Sequence, residues 1–139
     1  MLFGPRAHAD RLEFSLSIVR VTLAVLVFIH GAFRASQWDP HVTGFGEWLS
    51  SLGFPMGLYW AGAVTVYELI GPLFILARRY VTLAALGHIC IIGLGMVLVH
   101  LPAGWFVVGA GRNGMEYSVL LLAGLIAIAW AYAPRGARA

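Results

Sequence analysis

The sequence predicts an all-α integral membrane protein: a four-helix bundle with both termini on the cytoplasmic side. Three observations carry that reading. The chain is 60% apolar and only 11% charged, with a mean hydropathy of +0.85, whereas a soluble domain carries about a quarter charged residues. Its apolar residues fall in four runs, each long enough to cross the ~30 Å of a bilayer's hydrocarbon. Its arginines gather in the connections on one side. A length of 139 residues suits one domain spanning residues 1–139.

The first run, residues 14–33, reads FSLSIVRVTLAVLVFIHGAF. A backbone in lipid must satisfy its own hydrogen bonds, so runs of this length are helices; the alternation of a barrel strand is absent. Between residues 34 and 55 lies a long connection containing FGEWLSSLGFP, where Gly46 to Leu52 read either as a short interfacial or re-entrant helix on the outer side, stopped by Gly53, or as a plain surface loop. The second run, 56–77, holds Gly71-Pro72, and a proline inside a helix frees a carbonyl one turn back, near Glu68. The third covers 81–99. The fourth, 114–132, ends just before Pro134. Glycines inside the runs permit close helix approach and leave self-association open.

The charge pattern sets the sidedness. Arg6, Arg11, Arg78, Arg79, Arg135 and Arg138 fall on one side, with only Arg34 and Arg112 in the opposite connections. That bias places both termini and the second connection in the cytoplasm, with membrane lipid as the chain's first partner. The formal net charge of +3 forms no basic patch interleaved with aromatics, so nucleic acid is not an expected partner. Cys90 is the only cysteine; it reads as a small buried hydrophobe, and the chain has no dithiol of its own. Neither a lysine-rich leader nor an A-x-A site flanks the first run, so a cleaved signal peptide is not expected.

Two polar levels stand out. Counting from the outer ends of the runs at 1.5 Å per residue puts Arg20, Glu68 and His88 all roughly 18 Å deep. Charged groups at such depth face the bundle interior in pairs, so Arg20 with Glu68 is the expected pair, either a proton-handling site or a structural clamp, with His88 beside it. Nearer the outer end lie His30, Arg34, His100, Arg112 and Glu116. Histidine titrates near neutrality and carboxylates can hold its second nitrogen, so this cluster suits a proton-handling or polar-ligand site, with Trp60, Tyr67 and Tyr117 as flat walls. The plainer alternative is that Glu116 merely caps its own helix. Neither HxxxH nor HExxH spacing supports a metal or haem, and GAGRNG at Gly109 to Gly114 lacks the strand and lysine of a phosphate loop.

Several of these residues carry a family resemblance: Arg20 with His30-Gly31 in the first run, LGFP at Leu52 to Pro55, Glu68 in ELIGPLFIL, and GRNGMEYSVLLL before the fourth run. In their order and spacing the chain resembles the DoxX and DoxX-like family of small four-span bacterial membrane proteins. It departs from many relatives in having Gly71-Pro72 for a glycine pair and Arg34 for a lysine. The resemblance implies a role in an oxidoreductase system, the name-giving subunit belonging to a thiosulfate:quinone oxidoreductase. A quinone bound by His30, Arg34, Glu68, His100, Arg112 and Glu116 is therefore the expected ligand, with electrons supplied by a redox partner protein because the chain holds no redox motif. A non-catalytic anchor or assembly partner and a small-molecule permease are the alternatives.

Overall fold

The computed structural model describes residues 5–109 and 111–134, with side chains from residue 8. Arg135 and Arg138 of the charge pattern lie outside the described residues, as does the Arg6 side chain. Among the described residues, five α-helices run α1 (Pro5–Ser36), α2 (Thr43–Ser51), α3 (Gly57–Leu76), α4 (Val81–Gly95) and α5 (Glu116–Ala131). The last turn of α4 widens to π geometry over Met96–His100, and a similar turn over Trp38–Val42 leads into α2.

α1, α3, α4 with its extension, and α5 fall on the four apolar runs. The first three are long and apolar enough to cross a membrane, and α5 is a shorter apolar helix. At 16 residues, α5 is about 24 Å long. Its helix starts two residues into the run, at Glu116, where Gly114 lies against the backbone of Trp105 and Phe106, with the Gly114 N–H donating to the Phe106 carbonyl at 3.1 Å.

α1, α3, α4 and α5 each pack on two of the others, giving a ring in that order, while α2 lies on α3 and the Trp38–Val42 turn beside it lies on α1 and α3. The α2 segment and the 101–115 loop share one end of the bundle; the 77–80 turn lies at the other. The half near that turn is solid: Leu23, Ala24, Ile75, Ala84, Ala85, Leu125 and Ile128 form a buried core. There Arg78 donates to Glu13 at 2.6 Å and to the Tyr132 hydroxyl at 3.4 Å, tying α1 and α5 to the turn. The Glu13 hydrogen bond, then the Tyr132 hydroxyl, raise the Arg78 pKa further above its already high value. The pair is exposed, so it contributes little to stability.

At the opposite end, α2 is stopped by a Schellman motif. Gly53, at φ +88°, donates to Ser50 and Phe54 donates to Leu49, at 3.0 and 3.1 Å. The reversal packs Phe54 against the cluster of Val42, Leu49 and Ala61. α2 sits tightly on α3 because both helices offer glycine at the crossing: a Cβ on Gly46 would lie 2.6 Å from Leu58 Cα. The predicted short helix therefore exists, one turn longer toward its N-terminus, and it roofs the half of the bundle that the buried core does not fill. Cys90, expected to be buried, is exposed on the bundle's surface.

Candidate functional site: a roofed cavity with an ion pair at its edge

The unfilled half encloses a cavity of about 430 Å³. Val27, Ile91, Ile92 and Leu121 form its floor, directly above the core, and Phe45, Trp48, Leu49 and Phe54 its roof. Trp60, Val64, Leu98 and Tyr117 contribute to the walls. Its volume falls in the range of small-molecule sites, which are mostly apolar with a few placed polar groups.

Those polar groups are His30, Arg34, Glu68, Ser118 and His100. Arg34 Nη1 donates to Glu68 Oε2 at 2.8 Å, and the two side chains are only 15% and 6% exposed. The same nitrogen lies 3.4 Å from Thr65 Oγ1, whose own hydroxyl donates to the Ala61 carbonyl at 2.7 Å. The guanidinium stands 5.0 Å from the centre of the Phe45 ring, a cation–π contact that ties the roof to the ion pair.

Helix geometry explains why Arg34 reaches Glu68. Long side chains on a helix lean toward its N-terminus, so an arginine at the end of α1 leans into the bilayer. Gly31, one turn below, removes the obstacle: a Cβ there would lie 2.7 Å from Glu68 Cβ. α1 and α3 therefore touch at the level of Gly31 and Glu68.

The expected pairing of Arg20 with Glu68 is thereby corrected. Arg20 lies eleven residues before Gly31 in the sequence, about 16 Å along the axis, and its side chain leans farther away. It donates instead to the carbonyls of Ile75 and Leu76 at 2.6 and 3.0 Å, in the last turn of α3, where Ile75 otherwise accepts only a long 3.3 Å bond from the Arg78 N–H. The depth estimate failed because it aligned the outer ends of the apolar runs. Glu68 is eleven residues into α3 while Gly31 is five from the end of α1, a stagger of roughly 9 Å.

The outer cluster divides. His30, Arg34 and His100 line the cavity together with Glu68. His100 Nδ1 meets the Asn113 carbonyl at 2.8 Å; a carbonyl only accepts, so in the neutral ring Nε2 keeps its lone pair. Glu116 and Arg112 are not on the cavity. Glu116 Oε1 accepts the Val107 N–H at 3.0 Å, holding the 101–115 loop against α5. Arg112 lies exposed on that loop beside Val107 and Asn113. The loop's backbone is simply nearer to Glu116 than the histidines are. His88 lies beneath the floor, fully buried, and Tyr67 is spent on α4, its hydroxyl 3.3 and 3.2 Å from the carbonyls of Leu83 and Ala84. Thr65, Phe45 and Trp48 were missed. Phe45 and Trp48 carried a signal, their three-residue spacing on one face of the short helix.

Among the described residues, no group of three or more His, Cys, Asp or Glu side chains is placed to hold a metal ion. A comparison with family models matches residues 15–101 to DoxX, a stretch that holds most of α1, all of α2 to α4, the roof and the ion pair. The chain belongs to the DoxX family. That family of membrane proteins is often linked to oxidoreductase-related functions. The DoxX match ends before Arg112 and Glu116, the two predicted site residues that the structure leaves off the cavity. No curated protein and no solved structure matches the chain.

Proposed function

We propose that this DoxX protein is a membrane subunit of an oxidoreductase system that binds a quinone or similar lipid-soluble ligand in the roofed cavity. One observation carries the reading: an apolar, aromatic-walled cavity within the ring of spanning helices is edged by an Arg34–Glu68 pair and two histidines. Such a ligand needs an apolar slot for its ring and tail and hydrogen-bond donors for its carbonyl oxygens. Arg34 is the donor, held in place by Glu68, Thr65 and Phe45 rather than free to swing. Glu68 and the free Nε2 of His100 are groups that can pass a proton at the cavity edge. Trp48, Trp60 and Tyr117 offer ring faces. A quinone supplies the electron-accepting chemistry when bound; the chain's own residues bind, orient and exchange protons. Electrons come from a partner protein, because the sequence has no dithiol and no redox-cofactor motif. In this reading the protein lies in a bacterial inner membrane with α2 on the outer side.

The test uses the full chain in lipid nanodiscs, titrated with decylubiquinone and followed by tryptophan fluorescence, since Trp48 and Trp60 line the cavity. Saturable quenching is expected. Arg34→Leu should weaken it by about tenfold, equivalent to about 1.4 kcal/mol, while Arg112→Ala should not change it. Quenching that never saturates, or that is indifferent to Arg34, overturns the proposal and leaves the anchor role.

A further inference from the structure

We propose that the roofed cavity opens into the bilayer between α3 and α4, and that Gly95 keeps this side open for the long apolar tail of a ligand. The nature of the ligand's head rests on the quinone-binding reading above; the exit for a tail does not.

α3 and α4 meet closely beneath the cavity, where Gly71 lies on the His88 ring and Gly87 on the Tyr67 hydroxyl. Toward the roof the same two faces continue, in steps of three and four residues, through Val64 and Trp60 on α3 and through Ile91, Leu94, Gly95 and Leu98 on α4. All six line the cavity. Trp60 and Leu94 line it while 54% and 56% exposed, so each has one side on the cavity and another on the outer surface of the ring. The cavity therefore reaches the outside between them.

This opening is apolar throughout. An alkyl or isoprenoid chain that passes from lipid into it gives up no hydrogen bonds, whereas a polar group would lose its own. The side between α1 and α5 differs. Those helices touch where a Cβ on Gly124 would lie 2.8 Å from Leu23, and nearer the roof His30, Tyr117 and Ser118 line the cavity. In the ring order α1, α3, α4, α5, the α1/α5 side stands opposite the α3/α4 side. The cavity is thus polar on one side and apolar on the other, with the Arg34–Glu68 pair at its edge. That asymmetry fits an amphiphile whose head meets Arg34 and whose tail leaves between α3 and α4.

Gly95 sets the width of the exit. Its φ of −59° and ψ of −40° are ordinary helix, so the backbone does not require glycine there, and alanine would be the better helix former. What glycine supplies is room: a Cβ added at Gly95 meets nothing within 4 Å, although the residue lines the cavity. A larger side chain would fit without disturbing the bundle and would occupy the path of the tail. Gly93 is equally open but lies off the cavity, which makes it the matched control.

The experiment uses the full chain in lipid nanodiscs as wild type, Gly95→Leu and Gly93→Leu. Tryptophan quenching compares decylubiquinone with the same benzoquinone ring lacking its decyl tail. Gly95→Leu should weaken decylubiquinone by about tenfold and the tailless ring far less, which also shows the fold intact; Gly93→Leu should change neither. An unchanged decylubiquinone affinity in Gly95→Leu, or an equal loss for both quinones, overturns the exit. A second measurement needs no quinone. The nanodiscs carry a phosphatidylcholine with a diazirine on one acyl chain, and irradiation is followed by peptide mass spectrometry. Val27 and Leu49 are buried residues that line the cavity, so label on them in the ligand-free wild type reports a bilayer chain inside. Gly95→Leu should remove that label and leave the label on exposed Leu120. No label on Val27 or Leu49 in the wild type, or label that survives Gly95→Leu, overturns the exit. If neither quinone binds while the lipid label behaves as expected, the quinone reading fails and the exit stands.

Discussion

Removing either member of the Arg34–Glu68 pair should destabilise the bundle more than removing both. The side chains are 15% and 6% exposed and meet at 2.8 Å, so Arg34→Leu strands a carboxylate in an apolar surround and Glu68→Leu strands a guanidinium. Breaking a buried pair by deleting one partner costs about 3–5 kcal/mol, whereas replacing both with apolar residues is often close to neutral. The double variant should therefore lie nearer the wild type than either single one, with a coupling of about 2–3 kcal/mol. Deleting Arg34 leaves the more buried charge unpaired and also loses the contact with Phe45, so it belongs at the upper end of the range. The assay is unfolding in mixed micelles with rising dodecyl sulfate, followed by tryptophan fluorescence and far-UV circular dichroism. The parallel cycle of Arg20→Leu with Glu68→Leu is the control. Those groups lie more than a helical turn apart with no shared partner, so their effects should add to within about 0.5 kcal/mol. Zero coupling in the first cycle, or strong coupling in the second, would refute the pairing and the account of how Arg34 leans into the membrane.

Other outcomes follow from single contacts. Gly31→Ala places a methyl 2.7 Å from Glu68 Cβ and should destabilise by about 1–3 kcal/mol in the same assay; Gly93→Ala, with nothing within 4 Å of the added carbon, should not. Glu116→Ala removes the acceptor of the Val107 N–H and should speed hydrogen exchange at Val107, while decylubiquinone binding stays as in the wild type. In a Cys90→Ser background, cysteine at Ser51 should react with an impermeant thiol reagent in intact cells and cysteine at Arg79 should not; the reverse pattern inverts the topology.

The fold was legible because lipid simplifies the code. Once a run is apolar and about twenty residues long, helix is the one spanning structure left, and residues 14–33, 56–77 and 81–99 needed no further argument. α5 was legible as a helix but not in its start, because the first two residues of its run went to a loop contact between Gly114 and the Trp105–Phe106 backbone. Such a contact has no periodic signal. The short helix between α1 and α3 was readable from Gly53 as its stop, but nothing in FGEWLSS says that it turns inward to roof a cavity. That follows from Gly46 and Gly57 meeting at a crossing, a tertiary fact.

The site was legible as a set of residue types and illegible as pairings, and Arg20 and Arg34 show why. Sequence distance gives depth only if helix ends are level, and the stagger between α1 and α3 broke that premise. Direction then decided the rest. Both arginines lean toward the N-terminus of the same helix, but that displacement carries Arg20 toward the carbonyls of Ile75 and Leu76 and Arg34 down into the bundle to Glu68. The residue that looked anchored in mid-membrane secures a helix end, and the one assigned to the rim supplies the buried charge. A polar residue near the C-terminal end of an entering helix should therefore be placed about one turn deeper than its Cα. With that shift and the roughly 9 Å stagger of α1 and α3 together, Arg34 becomes the partner of Glu68, and the cavity edge follows from the histidines on either side of it.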